Sequence, residues 1–133
     1  MREKLLAAAI AGVLGFAPVS AIGDPQVDQL GEKISYCWNI GALSADAINS
    51  TTTVAFYVDS SGHVQLDSIR MLSSTARSLG AGKQAFEAAR RAIIRCLHRE
   101  PLEERFWART LEVVFAAPKG ASVRVPQDTL VET

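Results

Sequence analysis

Two cysteines, two histidines and a row of arginines are the side chains of this 133-residue sequence that are best suited to chemistry. Cys37 and Cys96 stand far apart, with no CxxC spacing and no clustered histidine, so a zinc site or a thiol redox motif is not what their pattern describes. They suit one structural disulfide, whose loop closure is worth about 4 kcal/mol in the chain-entropy model. His63 follows Ser60-Ser61-Gly62 in turn-forming sequence, where Asp59 is expected to cap the turn. His98 sits near the end of a basic helix. Neither histidine has an Asp or Cys at the spacing of a triad or metal set, and no glycine loop of phosphate-binding type occurs. The reading is therefore non-enzymatic, with no cofactor, metal or small-molecule substrate. A small hydrolase would need a pocket built on His63 or His98. Arg91, Arg95 and Arg99 fall in one row of a helix, either as a docking ridge for an acidic partner or lipid headgroups or as a solvated face.

A disulfide needs an oxidising compartment, and the N-terminus supplies a reason to expect one. Arg2 and Lys4 precede an apolar run from Leu5 to Phe16, then Pro18 and Val19-Ser20-Ala21, the layout of a signal peptide cleaved after Ala21. At about 1.5 Å per residue the run is slightly short for a bilayer core of about 30 Å, so cleavage is preferred over an uncleaved anchor. Residues 1–21 are then leader, and the mature chain is expected to be soluble and periplasmic. Taking Arg2, Glu3 and Lys4 from 14 basic and 14 acidic residues leaves 12 and 13. That balance argues against nucleic acid as the partner.

The elements that must position these residues follow from hydrophobic period. Asp24-Pro25 reads as an N-cap and first helical position, and Val27, Leu30, Ile34 and Cys37/Trp38 recur at helical spacing, giving a helix over 25–38. Ser44 to Ile48 suits a further short turn. Thr52, Val54, Phe56 and Val58 alternate with Thr53, Ala55 and Tyr57, a half-buried strand. In the next strand Val64 and Leu66 are out of phase with Ile69 and Met71, which a bulge or late start near Asp67-Ser68 would repair. Residues 73–82 read as a Ser/Gly-rich connector. Lys83 to Arg99 is the strongest helix, with Phe86, Ala89, Ile93, Cys96 and Leu97 on its inner stripe. Leu111, Val113 and Phe115 alternate as a third strand, and the chain from 119 to 133 reads as a flexible tail.

The fold class expected is α+β: a three-stranded antiparallel sheet with two helices on one face, in the order α-β-β-α-β, occupying 22–118. A right-handed crossover would place strand three beside strand one and leave strand three as a free edge.

Several segments together resemble the C-terminal domain of the TolA/TonB family of periplasmic energy transducers, in its two-cysteine TolA-like form. They are Cys37-Trp38-Asn39-Ile40-Gly41-Ala42-Leu43-Ser44, Thr52-Thr53-Val54-Ala55-Phe56, Ser68-Ile69-Arg70-Met71-Leu72-Ser73, Gln84 to Cys96, and Phe106-Trp107 through Phe115. The resemblance implies the same helix, hairpin, helix and strand arrangement, and a domain that engages partners partly through an exposed sheet edge. Full-length members carry an anchor and a long stalk, which this chain is expected to lack, so energy transduction is not carried over.

The function expected is binding of a cell-envelope protein, a Tol-Pal component or an outer-membrane protein, by strand addition along Thr110, Leu111, Glu112, Val113, Val114 and Phe115. Arg91, Arg95 and Arg99 would form a secondary contact, and a homodimer through the same edge is possible. The alternative is an inhibitor or regulator of another envelope protein, inserting the 73–82 loop into that protein's cleft.

Overall fold

The computed structural model describes residues 24–126; the leader expected at 1–21 and the last residues of the tail, 127–133, lie outside them. Helix α1 spans Pro25–Cys37 and starts where the sequence places it. The Asp24 carboxylate accepts from the backbone N–H of Gln26 and of Val27, and proline at the first position has no N–H to satisfy. Leu30, Gly31 and Ile34 make its buried stripe. Ser44 caps a short second helix, α2, Ala45–Ile48, by accepting from Ala47 N–H at 3.3 Å.

Strand β1, Thr51–Val58, has Thr52, Val54, Phe56 and Val58 buried on the helix side as expected, but it is not half-buried. Thr53 and Ala55 on the other face are buried as well, because the strand is central in the sheet, and only Tyr57 is exposed. A turn at 59–63 and a 3-10 turn at Leu66–Ser68 lead into β2, Arg70–Ser74. The phase error legible in the sequence is real but is repaired later in the strand than expected. Thr53 pairs with Ser73 and Val54 with Met71, so Leu72 is the extra residue of a bulge.

Helix α3 spans Leu79–Leu97. It begins four residues before the expected start because Ser78 accepts from Ala81 N–H at 3.1 Å, a cap that the glycines of this stretch obscured. The 73–82 segment is therefore not the single loop expected. Ser73 and Ser74 belong to β2, 79–82 to α3, and the four residues between are tied down: Thr75 N–H donates to Thr51 O at 3.0 Å and Arg77 N–H to the Asp46 carboxylate at 3.2 Å.

Strand β3, Arg109–Ala116, pairs with β1 along its length, and a fourth strand, β4, Gly120–Arg124, follows. The sheet is antiparallel throughout, in the order β2-β1-β3-β4. The architecture is α+β with four strands, not three. The residues from 119 that read as flexible tail turn back at Gly120, whose φ of 103° suits glycine, and pair with 112–116. With only Ala121 and Val123 to alternate, β4 was too short and weakly apolar to register as a strand.

The correction to the site follows directly. Strand β3 is bonded to β1 along its length and to β4 from Glu112 onward, so Glu112, Val113, Val114 and Phe115 offer no free edge, and only Thr110 and Leu111 of the expected stretch lie outside the β4 register. Leu111, Val113 and Phe115 are instead core residues, each at most 1% exposed.

Both long helices lie on one face of the sheet. Ile34 of α1 and Ala89, Ala92, Ile93 and Leu97 of α3 form one apolar core with Phe56, Val113, Phe115 and Val123. Small residues at 85, 88, 89 and 92 bring α3 close to its neighbours. Cys37 and Cys96 form the expected disulfide, with Cα atoms 6.0 Å apart, and it staples the end of α1 to the end of α3. Beside it Trp38 packs on Phe115, ring centroids 5.3 Å apart and planes tilted by 59°.

Candidate functional site

A four-stranded open sheet has two edges, and here they differ. Along β4, α1 covers the outer side. The Ser35 hydroxyl accepts from Ala121 N–H at 2.8 Å and donates to Gly31 O at 2.9 Å, so an edge donor of β4 is already bonded to the helix. Gly31 permits that approach, because a Cβ there would stand 2.9 Å from Ala121 O.

Among the described residues no such cover lies along β2. Within them it pairs with β1 alone, and its residues 70–73 are exposed, including the apolar Met71 and Leu72. An edge of this kind presents unpaired backbone donors and acceptors that another extended chain can bond.

Next to that edge α3 leaves a groove of about 620 Å³, lined by Met71, Ser74, Arg77, Leu79, Lys83 and Phe86 together with small residues. Its geometry comes from the register. Met71 and Ser74 stand opposite Val54 and Thr52 and so face the helix side, whereas Arg70 stands opposite Ala55 on the open face. Leu79 is 94% exposed at the first turn of α3, although it opens an otherwise amphipathic helix. An exposed leucine alone needs no explanation; beside exposed Met71 and half-buried Phe86 it extends an apolar surface along the strand edge.

Arg91 and Arg95 are both exposed on α3 and share a small cleft of about 90 Å³ with Cys37, Asn39 and Ala88. Arg99 lies beyond the end of α3 at Leu97, so the expected three-residue row is two residues of a helix and one of the following bend. The arginine pair is on the side of α3 toward α1 and the disulfide, separate in its lining residues from the β2 groove.

The turn holding His63 is built around Asp59. Its Oδ1 accepts from the backbone N–H of His63 and of Ser61 and from the Ser61 hydroxyl, each at 2.9 Å, and its Oδ2 accepts from Gln65 Nε2 at 2.9 Å. These bonds, the His63 N–H foremost and then the Ser61 hydroxyl, hold the carboxyl down at about 2 from an ordinary 3.8. Ser61 Oγ lies 3.2 Å from His63 Nδ1, but the hydroxyl proton is directed to Asp59, and Asp59 bonds the backbone of His63 rather than its ring. The order is not that of a nucleophile, base and orienting acid. This is a capped turn. His98 caps the C-terminal end of α3 through its backbone N–H, which donates to Ile94 O at 3.1 Å.

Among the described residues no group of three or more His, Cys, Asp or Glu is placed to hold a metal ion, and no helix is long and apolar enough to cross a membrane. The groove residues Met71, Leu79 and Phe86 did not stand out in the sequence as a set. Phe86 read as inner stripe and Leu79 as connector; the one warning was the broken alternation from Val64 to Met71. No protein-family model, curated protein or solved structure matches this chain.

Proposed function

We propose that this chain is a non-enzymatic, exported protein-binding module of the cell envelope, resembling the TolA/TonB C-terminal domain in kind. It would take an extended segment of a partner, a Tol-Pal component or an outer-membrane protein, as an added strand. The observation that carries this reading is the asymmetry of the sheet: β4 is closed by α1, while β2 is open and flanked by apolar side chains. The binding edge is accordingly β2, Arg70–Ser74, rather than the strand at 110–115. Backbone pairing would give affinity and the groove between β2 and α3 a place for alternate side chains.

The test is a proline at Leu72. This residue has no register partner in β1, so Leu72→Pro removes a backbone N–H of the edge strand and restricts its backbone while leaving the four paired positions of the ladder unchanged in sequence. Wild-type protein is expected to retain a Tol-Pal or outer-membrane protein from an envelope extract, and the Leu72→Pro form to lose it with its thermal midpoint little changed. Equal retention by both forms would refute edge binding.

A further inference from the structure

The groove beside β2 carries charge of one sign. Its only charged lining residues are Arg77 and Lys83, and Arg70 projects from the same strand on the opposite face of the sheet. Among the described residues none of the three is in an ion pair: those are Arg105–Asp24 and Arg124–Glu112, and the nearest carboxylate, Asp46, accepts from the backbone N–H of Arg77, at 3.3 and 3.2 Å, and lies outside the groove lining. Three cations thus bracket an unpaired strand edge and its exposed apolar residues, Met71, Leu72 and Leu79.

A strand laid along β2 would alternate its side chains between these two environments. One set falls over the groove against Met71, Leu79 and Phe86, whose volume of about 620 Å³ suits bulky apolar groups. The other set falls on the open face beside Arg70, and residues at the groove rim meet Arg77 and Lys83. We infer that the occupant is an acidic segment of another protein in which apolar and carboxylate side chains alternate. This rests on the strand-addition reading above and adds to it the chemistry of the partner.

The same charges disfavour a second copy of this chain. Antiparallel pairing of two β2 strands would set both α3 helices on one face of a continuous sheet and bring the two Arg77 and Lys83 rims toward each other. Like charges brought together at an interface without compensation oppose it.

The experiment uses the purified protein and two labelled synthetic peptides, acetyl-Glu-Val-Glu-Phe-Glu-Val-Glu-amide and the same peptide with lysine for each glutamate, followed by fluorescence anisotropy at low and high salt. The acidic peptide is expected to bind, with at least about tenfold preference over the lysine peptide. Arg70→Glu/Arg77→Glu/Lys83→Glu, all at exposed positions, should weaken it by about tenfold or more and remove most of its salt dependence. Leu72→Pro should weaken it as well. Equal binding of the two peptides, or acidic-peptide binding untouched by the triple reversal, overturns the acidic chemistry and leaves strand addition standing if Leu72→Pro still abolishes binding. No binding of either peptide by protein of native circular dichroism overturns both. Sedimentation of the peptide-free protein is the remaining arm: a dimer dissolved by Leu72→Pro would assign the edge to a second copy and overturn the inference.

Discussion

The edges of this sheet are made of the same backbone groups, yet one is finished and the other is not. At β4 the helix α1 approaches to within contact of Ala121, and Ser35 takes up an edge N–H. At β2 the helix α3 diverges, leaving a groove instead of a contact. The difference teaches that an edge is closed by what packs on it, and that the closure depends here on two small residues of α1, Gly31 and Ser35, held in place by a disulfide.

The comparison can be broken most forcefully at the staple. Cys37→Ser/Cys96→Ser releases α1 from α3 and is expected to cost about 4 kcal/mol, read as a lower urea midpoint. Amide exchange at Ala121 should accelerate in this variant more than exchange within β3, because β4 loses its cover. If Ala121 stayed as protected as Val113, α1 would not be what closes the edge. Next in size is Gly31→Val. The added Cβ meets the Ala121 carbonyl, a backbone atom with little freedom to give way, so a loss of about 1–3 kcal/mol is expected despite valine's better helix propensity than glycine's. Stability equal to wild type would show that α1 can shift outward without loss. Ser35→Ala should cost about 1 kcal/mol, the value of leaving one edge donor without its partner, and the thermal midpoint reads it.

The smallest effect expected is on acid stability. Asp24 caps α1 and pairs with Arg105, and that side-chain bond above all, with the backbone bonds to Val27 and Gln26, lowers its pKa below the ordinary 3.8. Asp59 is held down to about 2 by its turn. A carboxyl with a depressed folded pKa contributes stability that is fully present above its unfolded value and is lost as pH falls through the folded one. The window for Asp59 therefore runs from 3.8 down to about 2. Asp24→Asn and Asp59→Asn should each flatten the decline of the urea midpoint as pH falls below 3.8, and only Asp24→Asn should also speed exchange along α1. An unchanged acid limb in both would remove these carboxylates from the account.

Much of the frame was legible because its signals are local. The Asp24-Pro25 cap, the inward face of Thr52, Val54, Phe56 and Val58 and the stripe through Ala89, Ile93 and Leu97 are each written within a few residues of chain, and each is found as expected. The site was not legible in the same way. Thr110 to Phe115 read as an edge because β4 is five residues long and its one buried side chain is Val123. Its pairing is decided by the turn at Gly120 and by α1 more than by any pattern of its own. Met71, Leu79 and Phe86 belong to a strand, a helix cap region and a helix interior, and only the divergence of α3 from β2 brings them to one groove.

The sequence by itself determined the α+β class, the cap and stripe of α1, the central strand, the amphipathic α3 and the two cysteines that join the helices, since these rest on period, capping chemistry and cysteine count. Only the tertiary structure decided which strand is an edge. Edge status is a relation between distant segments: it depends on whether residues 120–124 return to pair with 112–116 and on whether a helix lies close enough to satisfy the outermost N–H groups. Neither condition leaves a periodic trace in the strand whose exposure it sets.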